Sequence, residues 1–249
     1  LVQRKLSSNT LTLNLKSLNL PTGTKVFAEE VSADAYGEVV WSKEISENGQ
    51  LSFELPAQSV MLLTIPARKN TPCTLIATAD ATIKNGSNSE KNFGKIKKMS
   101  VEMNASQNHN QVSYIKFDLS KVDNINAALL QIYGNSPDKY SYRFHVYALD
   151  NCDWNEMSLN LNNAPNLDRE QMRITQVGNT AHVAGEIVVN KNASYHRLDV
   201  AKLIRKCKQK EITFVLIREL RQLSDDSDNG KSCYLDTKES NHKPILSIW

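Results

Sequence analysis

Apolar and polar residues alternate along most of this chain, in short runs that polar turn residues separate. A period of two residues is typical of β-strands, and helical spacing is nearly absent. Such runs predict strands at residues 11–15, 25–31, 37–46, 50–55, 59–65, 75–83, 98–103, 112–119, 127–133, 142–150, 181–189, 195–199, 212–219 and 245–249. One amphipathic stretch, residues 200–210, predicts a short helix. The pattern as a whole predicts an all-β protein.

A proline-flanked stretch at residues 67–72 divides the chain into a short and a long segment. Its polar and basic composition is typical of a linker. A length of 249 residues fits one large domain or two smaller ones. We therefore expect a small β-sandwich at residues 1–66 and a jelly-roll-like antiparallel β-sandwich at residues 73–249.

Composition and charge narrow the class of protein. Hydrophobic residues make up 40% of the chain and charged residues 23%, and no apolar run is long enough to span a membrane. Five basic against seven acidic residues give residues 1–66 a net charge of −2, whereas the remainder carries +5. The larger segment is therefore expected to meet an anionic partner: an acidic polysaccharide, a nucleic acid or an acidic surface. No nucleic-acid-binding motif accompanies the modest basic excess, so we expect no nucleic-acid partner.

A set of short motifs in the larger segment occurs in the order and spacing of a known family. The motifs are Ala79-Asp80-Ala81-Thr82-Ile83, Asn92-Phe93-Gly94, Tyr114-Ile115-Lys116-Phe117-Asp118-Leu119-Ser120, Asp153-Trp154-Asn155-Glu156, Asn163-Ala164-Pro165, Leu198-Asp199-Val200 and Pro244-Ile245-Leu246-Ser247-Ile248. They resemble the DNRLRE-type domain, also classed as carbohydrate-binding module family 96, over residues 73–249. The resemblance implies a jelly-roll module appended to secreted bacterial enzymes that degrade polysaccharides, with acidic marine glycans among the ligands. The family usually has tryptophan where this chain has Leu161, so stacking at that position is absent.

Residues 1–66 carry a second resemblance. Their closing run, residues 59–66, resembles the last strand of the β-domain that follows the catalytic barrel of many glycoside hydrolases, and residues 27–31 are similar to family 86 β-agarases and porphyranases. The resemblance implies a secreted, cell-surface or periplasmic enzyme of which this chain is the accessory part. The chain starts at Leu1 without a basic and apolar leader, so we expect a removed signal or a piece of a longer protein.

Strand alternation predicts a ligand-binding surface, because successive side chains point to opposite faces of a sheet. In three successive strands the apolar side chains are predicted to point into the core. The polar and aromatic side chains between them are then predicted to point to the opposite face. This set is Tyr114, Lys116, Gln131, Tyr133, Arg143, His145 and Tyr147. Rings stack on pyranoses, Arg and Lys bind anions, and an amide binds hydroxyls, so the set suits a sulfated or carboxylated sugar. The alternative is a sheet face that is solvated or covered by a loop.

Other ligand candidates lie outside these strands. The loop at residues 84–98 holds five lysines and one glutamate. Lys84 and Lys95 are its candidate ligand-binding residues. Its alternative role is surface solubility. Trp154 could stack on sugar or pack at the sandwich edge, and Arg218 could bind ligand or form an ion pair with Glu219.

The only metal-like pattern is a run of aspartates followed by glycine, containing Asp225, Asp226 and Asp228. Alternate carboxylates with a sharp turn suit Ca²⁺, but the distant glutamate of a full calcium loop is missing. We expect no required cofactor, and either a structural Ca²⁺ or a plain acidic turn here.

No nucleophile, phosphate-binding or metalloprotease motif occurs, and the alternating helices of a glycosidase barrel are missing. The sequence therefore predicts a non-catalytic module that holds an attached glycoside hydrolase near an anionic polysaccharide, such as the sulfated algal galactans porphyran and agar. A structural spacer that packs on the catalytic domain without binding sugar is the alternative.

Overall fold

Strands dominate the fold, as the alternating pattern predicts. The computed structural model describes residues 1–18, 20, 22–32, 35–65, 73–104, 108–122, 125–207, 209–219 and 230–249. In this part the strands are β1 (Val2–Gln3), β2 (Asn9–Asn14), β3 (Lys25–Val31), β4 (Tyr36–Glu44), β5 (Gln50–Leu55), β6 (Ser59–Thr64), β7 (Cys73–Ile76), β8 (Ala79–Lys84), β9 (Lys98–Val101), β10 (Gln111–Asp118), β11 (Ala128–Asn135), β12 (Tyr142–Leu149), β13 (Leu167–Asp168), β14 (Arg173–Ile174), β15 (Ala181–Val189), β16 (Ser194–Asp199), β17 (Glu211–Ile217), β18 (Cys233–Asp236) and β19 (Ile245–Ile248). The predicted helix is confirmed but shorter, as α1 (Ala201–Lys206), and two 3₁₀ turns lie at Lys16–Leu18 and Gly86–Asn88.

The chain forms two compact units, Leu1–Thr71 together with Trp249, and Pro72–Ile248. In the first unit a four-stranded sheet has the order β1-β6-β3-β4, and β2 pairs with β5. Alternate residues of these strands, among them Val26, Phe53 and Met61, form a small apolar core. The linker predicted at residues 67–72 lies outside the described residues.

The second unit is an antiparallel sandwich of two larger sheets. One has the order β15-β12-β17-β10-β8, and the other has β7-β19-β11-β18-β9 with β16 paired to β11. The main core lies between them and takes Phe117, Phe144 and Phe214 from the first sheet and Leu130 and Leu246 from the second. The all-β sandwich that the sequence predicts is confirmed.

The chain crosses between the two sheets from strand to strand. β10 and β12 lie in the five-stranded sheet, whereas β11, which connects them in sequence, lies in the six-stranded sheet. The outer face of β11 is therefore not shared with β10 and β12. This crossing decides which of the predicted side chains can meet.

Candidate functional site

Four members of the predicted ligand face on β10 and β12 are buried, which corrects the expectation that they face a ligand. Tyr114 is 0% exposed, Tyr147 4%, and Lys116 and His145 8% each. Alternation was interpreted correctly, since these side chains do point away from the main core. Tyr114 and Tyr147 enter a second apolar cluster instead of solvent.

The segment between β12 and β15 covers this face. Trp154, Leu161 and Met172 from that segment pack in one cluster with Tyr114 and Tyr147. The Tyr114 hydroxyl donates a hydrogen bond to the Pro165 carbonyl at 2.8 Å, and the Tyr147 hydroxyl donates to Glu219 at 2.9 Å. The structure therefore bears out the loop-covered alternative for Tyr114, Lys116 and Tyr147.

Gln131 and Tyr133 lie on the other sheet, which corrects the expectation of one face made by three strands. They belong to β11, whose neighbours are β16, β18 and β19. Arg143 stays on β12, where its guanidinium lies 3.1 Å from Glu186 and both side chains are largely exposed. The His145 ring has its Nδ1 3.3 Å from the same glutamate.

Lys116 and Trp154 border an open pocket of about 690 Å³. The Lys116 ammonium donates to the Trp154 carbonyl at 2.8 Å and lies 4.7 Å from the centre of its ring. Carboxylates of Asp150, Asp153 and Glu211 also line the pocket. Three carboxylates against one ammonium make this pocket a poor site for an anionic sugar.

The remaining candidates are placed separately. Lys84 is half-buried with its ammonium 4.6 Å from the Phe93 ring centre, and burial lowers its pKa. Lys95 is exposed. Arg218 is 1% exposed and its guanidinium lies 4.8 Å from the Tyr142 ring centre, so it is part of the interior. The acidic run with Asp225, Asp226 and Asp228 lies outside the described residues.

An aromatic cluster occupies the outer face of the six-stranded sheet. The Tyr133 ring stacks on His242, with centroids 3.9 Å apart and planes at 16°, and meets Tyr195 edge-on at 5.2 Å. β11 and β16 place the two tyrosines directly opposite each other, and the turn between β18 and β19 supplies the histidine. The His242 side chain is 48% exposed, so the stack is open to solvent.

Polar side chains on the same face continue from this cluster. Gln131 accepts a hydrogen bond from Arg197 Nε at 2.7 Å and donates to Ser247 at 2.7 Å. These two bonds fix the amide, and the amide in turn orients the guanidinium. A guanidinium donates charge-assisted hydrogen bonds to anions, so Arg197 adds an oriented cation to this face.

Charged groups border the cluster at the turn that follows β18. Asp236 accepts from Lys98 and has an oxygen 3.2 Å from His242 Nδ1. Lys243 is exposed, and its carbonyl accepts from the Tyr195 hydroxyl at 3.3 Å. Burial and the charge of Asp236 raise the pKa of Tyr195, which keeps this hydroxyl protonated as a donor.

We call this surface the aromatic face; it consists of Lys98, Gln131, Tyr133, Tyr195, Arg197, Asp236, His242 and Lys243. Three cationic side chains against one carboxylate give it a positive balance. Sequence reasoning found Gln131 and Tyr133 but missed Tyr195 and Arg197. Alternation in the predicted strand 195–199 could have found both, had its pairing with β11 been known. His242 lies in a turn and has no sequence signal.

Among the described residues, one group of acidic side chains could hold a metal ion, formed by Asp80, Glu156 and Glu239. No described helix is long and apolar enough to cross a membrane.

These observations describe an antiparallel β-sandwich that carries an exposed aromatic and basic face. The sequence model of carbohydrate-binding module family 96 matches residues 71–249, so the chain belongs to that family and its sandwich is a carbohydrate-binding module. A search of the curated proteins found none that matches the chain.

Proposed function

We propose that the aromatic face binds an anionic polysaccharide, and that the ligand is a sulfated galactan of the porphyran or agar kind. Binding would hold an attached glycoside hydrolase on its substrate and raise the local substrate concentration. The carbohydrate-binding module itself performs no chemistry in this proposal.

The observation that carries the proposal is the stacked pair of Tyr133 and His242 beside Arg197. A sugar ring has an apolar side that fits a flat aromatic surface, and a sulfate group fits a guanidinium fork. Tyr133 and Arg197 lie on paired strands of one sheet, so the ligand would meet preorganised side chains.

Charge supports an anionic rather than a neutral ligand. Arg197 and Lys98 lie beside the aromatic cluster, the exposed Lys243 contacts it through its backbone carbonyl, and the Asp236 carboxylate lies at its edge. The pocket beside Lys116 has the opposite balance, with three carboxylates in its lining. We therefore place an acidic glycan on the aromatic face and not in that pocket.

We further propose that residues 1–66 are the terminal β-domain of the attached hydrolase, of the family 86 type, and that the whole enzyme is secreted by a bacterium. The support is the resemblance of their closing strand and of residues 27–31 to that group of enzymes.

The test is a glycan panel of porphyran, agar, carrageenan, alginate and a neutral glucan, titrated against the full chain and two variants. Tyr133→Ala removes the stacking surface and Arg197→Ala removes the fork. Loss of a charge-assisted hydrogen bond costs about 1.5–3 kcal/mol, so Arg197→Ala should weaken binding about 10- to 150-fold. Tyr133→Ala should reduce affinity to a comparable extent.

Matched controls lie elsewhere on the surface. Arg143→Ala removes an exposed arginine of the other sheet, and Tyr140→Ala removes a tyrosine that is 51% exposed. Both should bind like the parent chain, with thermal unfolding confirming that all four variants fold. If Arg143→Ala abolishes binding and Arg197→Ala does not, the site lies on the other sheet. Absence of binding to every glycan in the panel would favour the spacer function.

A further inference from the structure

Three carboxylates from distant parts of the sequence meet at one edge of the sandwich. Asp80 lies at the start of β8, Glu156 in the turn after β12, and Glu239 in the turn between β18 and β19. One oxygen of each lies within 4.8 Å of the other two. Convergence of three separate segments on so small a volume requires a compensating positive charge.

Hydrogen bonds fix two of these carboxylates in place. Asp80 Oδ2 accepts from the backbone N–H of Lys238 at 2.7 Å, and Glu156 Oε1 accepts from the backbone N–H of Asp80 at 2.8 Å. Asp80 is 1% exposed, yet its Oδ1 has no hydrogen-bond partner in the described part of the chain. A buried carboxylate oxygen without a donor is costly unless a cation occupies the space that it faces.

The side chain of Lys238 supplies only part of the required charge. Its ammonium lies 3.0 Å from Glu156 and 2.5 Å from Glu239, and the side chain is 24% exposed. One ammonium against three carboxylates leaves two negative charges uncompensated.

We propose that Asp80, Glu156 and Glu239 bind a Ca²⁺ ion, which balances the two remaining charges and ties β8 to the turns that carry Glu156 and Glu239. Ca²⁺ takes six to eight hard oxygen ligands in a flexible arrangement, and three carboxylates with water can supply about that number. Mg²⁺ demands a stricter octahedron and gives up its water reluctantly, so it should bind more weakly. Lys238 competes with the ion for Glu156 and Glu239, and its partly exposed side chain can move to solvent.

Thermal unfolding of the full chain in CaCl₂, in MgCl₂ and in EDTA tests this site. At a Ca²⁺ concentration about 100-fold above its Kd, the Tm should rise by about 5–10 °C, and MgCl₂ should raise it less. Isothermal titration with CaCl₂ should give one ion per chain. Asp80→Asn and Glu239→Gln should each remove the Ca²⁺-dependent rise; the second variant changes a partly exposed residue and keeps the test valid if the first does not fold.

Two further variants separate the proposal from its competitors. Lys238→Met removes the competing ammonium and should increase Ca²⁺ affinity, whereas in a plain ion-pair network it would destabilise the fold and CaCl₂ would restore nothing. A double variant, Asp226→Asn with Asp228→Asn, removes the other acidic run and should keep the full response. The proposal is overturned if neither the parent chain nor Lys238→Met responds to CaCl₂, or if the response survives Asp80→Asn and disappears in the double variant. Glycan binding does not enter any of these measurements.

Discussion

His196 is a histidine whose charged form the fold disfavours. It lies on β16 with 2% of its surface exposed, and its Nε2 lies 3.1 Å from the Gly134 carbonyl oxygen. Because a carbonyl only accepts, this nitrogen carries the proton of the neutral ring. Burial lowers the pKa of His196 below its ordinary value of 6.5; the bond to Gly134 opposes that effect and the charge of Arg197 adds to it.

This burial predicts a loss of stability in mild acid. Below pH 6.5 the His196 ring is protonated to a greater extent in the unfolded chain than in the folded chain. The free energy of unfolding should therefore fall as the pH decreases from the ordinary pKa of the ring through its lowered folded value. His196→Gln should flatten this part of the profile, measured by urea unfolding between about pH 5 and pH 8. Equal slopes in the parent and in His196→Gln would contradict the assignment.

Tyr114 was predicted from the sequence to bind ligand, but the structure packs it in the interior. Its ring meets Trp154 edge-on at 6.1 Å, and its hydroxyl donates to Pro165. Tyr114→Phe deletes one buried hydrogen bond and leaves the carbonyl without its donor, so unfolding should become easier by about 1 kcal/mol. Glycan affinity should not change. A variant of parent stability with weakened binding would return Tyr114 to the ligand site.

At the scale of elements, alternation within a strand could be predicted and the pairing of strands could not. Ile115 and Phe117 do enter the main core and Tyr114 does point the other way, as a period of two residues requires. Nothing local, however, says that β11 joins the opposite sheet from β10 and β12. That choice depends on contacts distant in sequence.

The solvent exposure of a side chain was the second property that the local sequence pattern could not predict. Tyr133 and Tyr147 have the same chemistry and the same position in an alternating strand. One lies beside His242 on an open face, and the other is covered by the segment that carries Trp154 and Met172. Whether a long connection folds back over a sheet depends on its own apolar residues, and those of residues 150–180 are scattered without a period.

Asn92 ties the lysine-rich loop at residues 84–98 to the turn after β12. Asn92 Nδ2 donates to the carbonyls of Glu156 at 2.6 Å and of Leu159 at 2.9 Å. Next to it Gly94 packs so closely on the Glu156 carbonyl that a Cβ would clash with the backbone. The loop and the turn after β12 therefore behave as one element.

This anchoring predicts a larger effect for Asn92→Ala than for a lysine in the same loop. The substitution leaves two carbonyls without their donor and should lower the free energy of unfolding by about 1–3 kcal/mol. Lys95→Ala removes an exposed charge and should change it by less than about 0.5 kcal/mol. Urea unfolding of both variants compares the two. A loop that tolerates Asn92→Ala as well as Lys95→Ala would not be anchored in this way.

At the scale of the whole molecule, charge is divided unequally between the two segments. Residues 1–66 carry a net −2 and the remainder +5. Part of the excess lies in surface lysines that attract any anion, and part lies in Arg197, which Gln131 holds in a fixed orientation. Long-range attraction by the surface lysines and direct hydrogen bonding by Arg197 should therefore respond differently to salt.

Binding of an acidic galactan should weaken with ionic strength without disappearing. Exposed ion pairs contribute about 0.2–1 kcal/mol each, and salt screens them over about 8 Å at physiological strength. Three cations around the aromatic face, Lys98, Arg197 and Lys243, then predict a loss of about tenfold between low and high salt, measured by calorimetry. Lys243→Ala should reduce this salt dependence and have little effect on the affinity at high salt. Tyr133→Ala should lower the affinity at high salt and leave the salt dependence unchanged. Equal affinity for the acidic galactan and a neutral glucan at every salt concentration would show that charge takes no part in recognition, and stacking on Tyr133 and His242 would then be its main source.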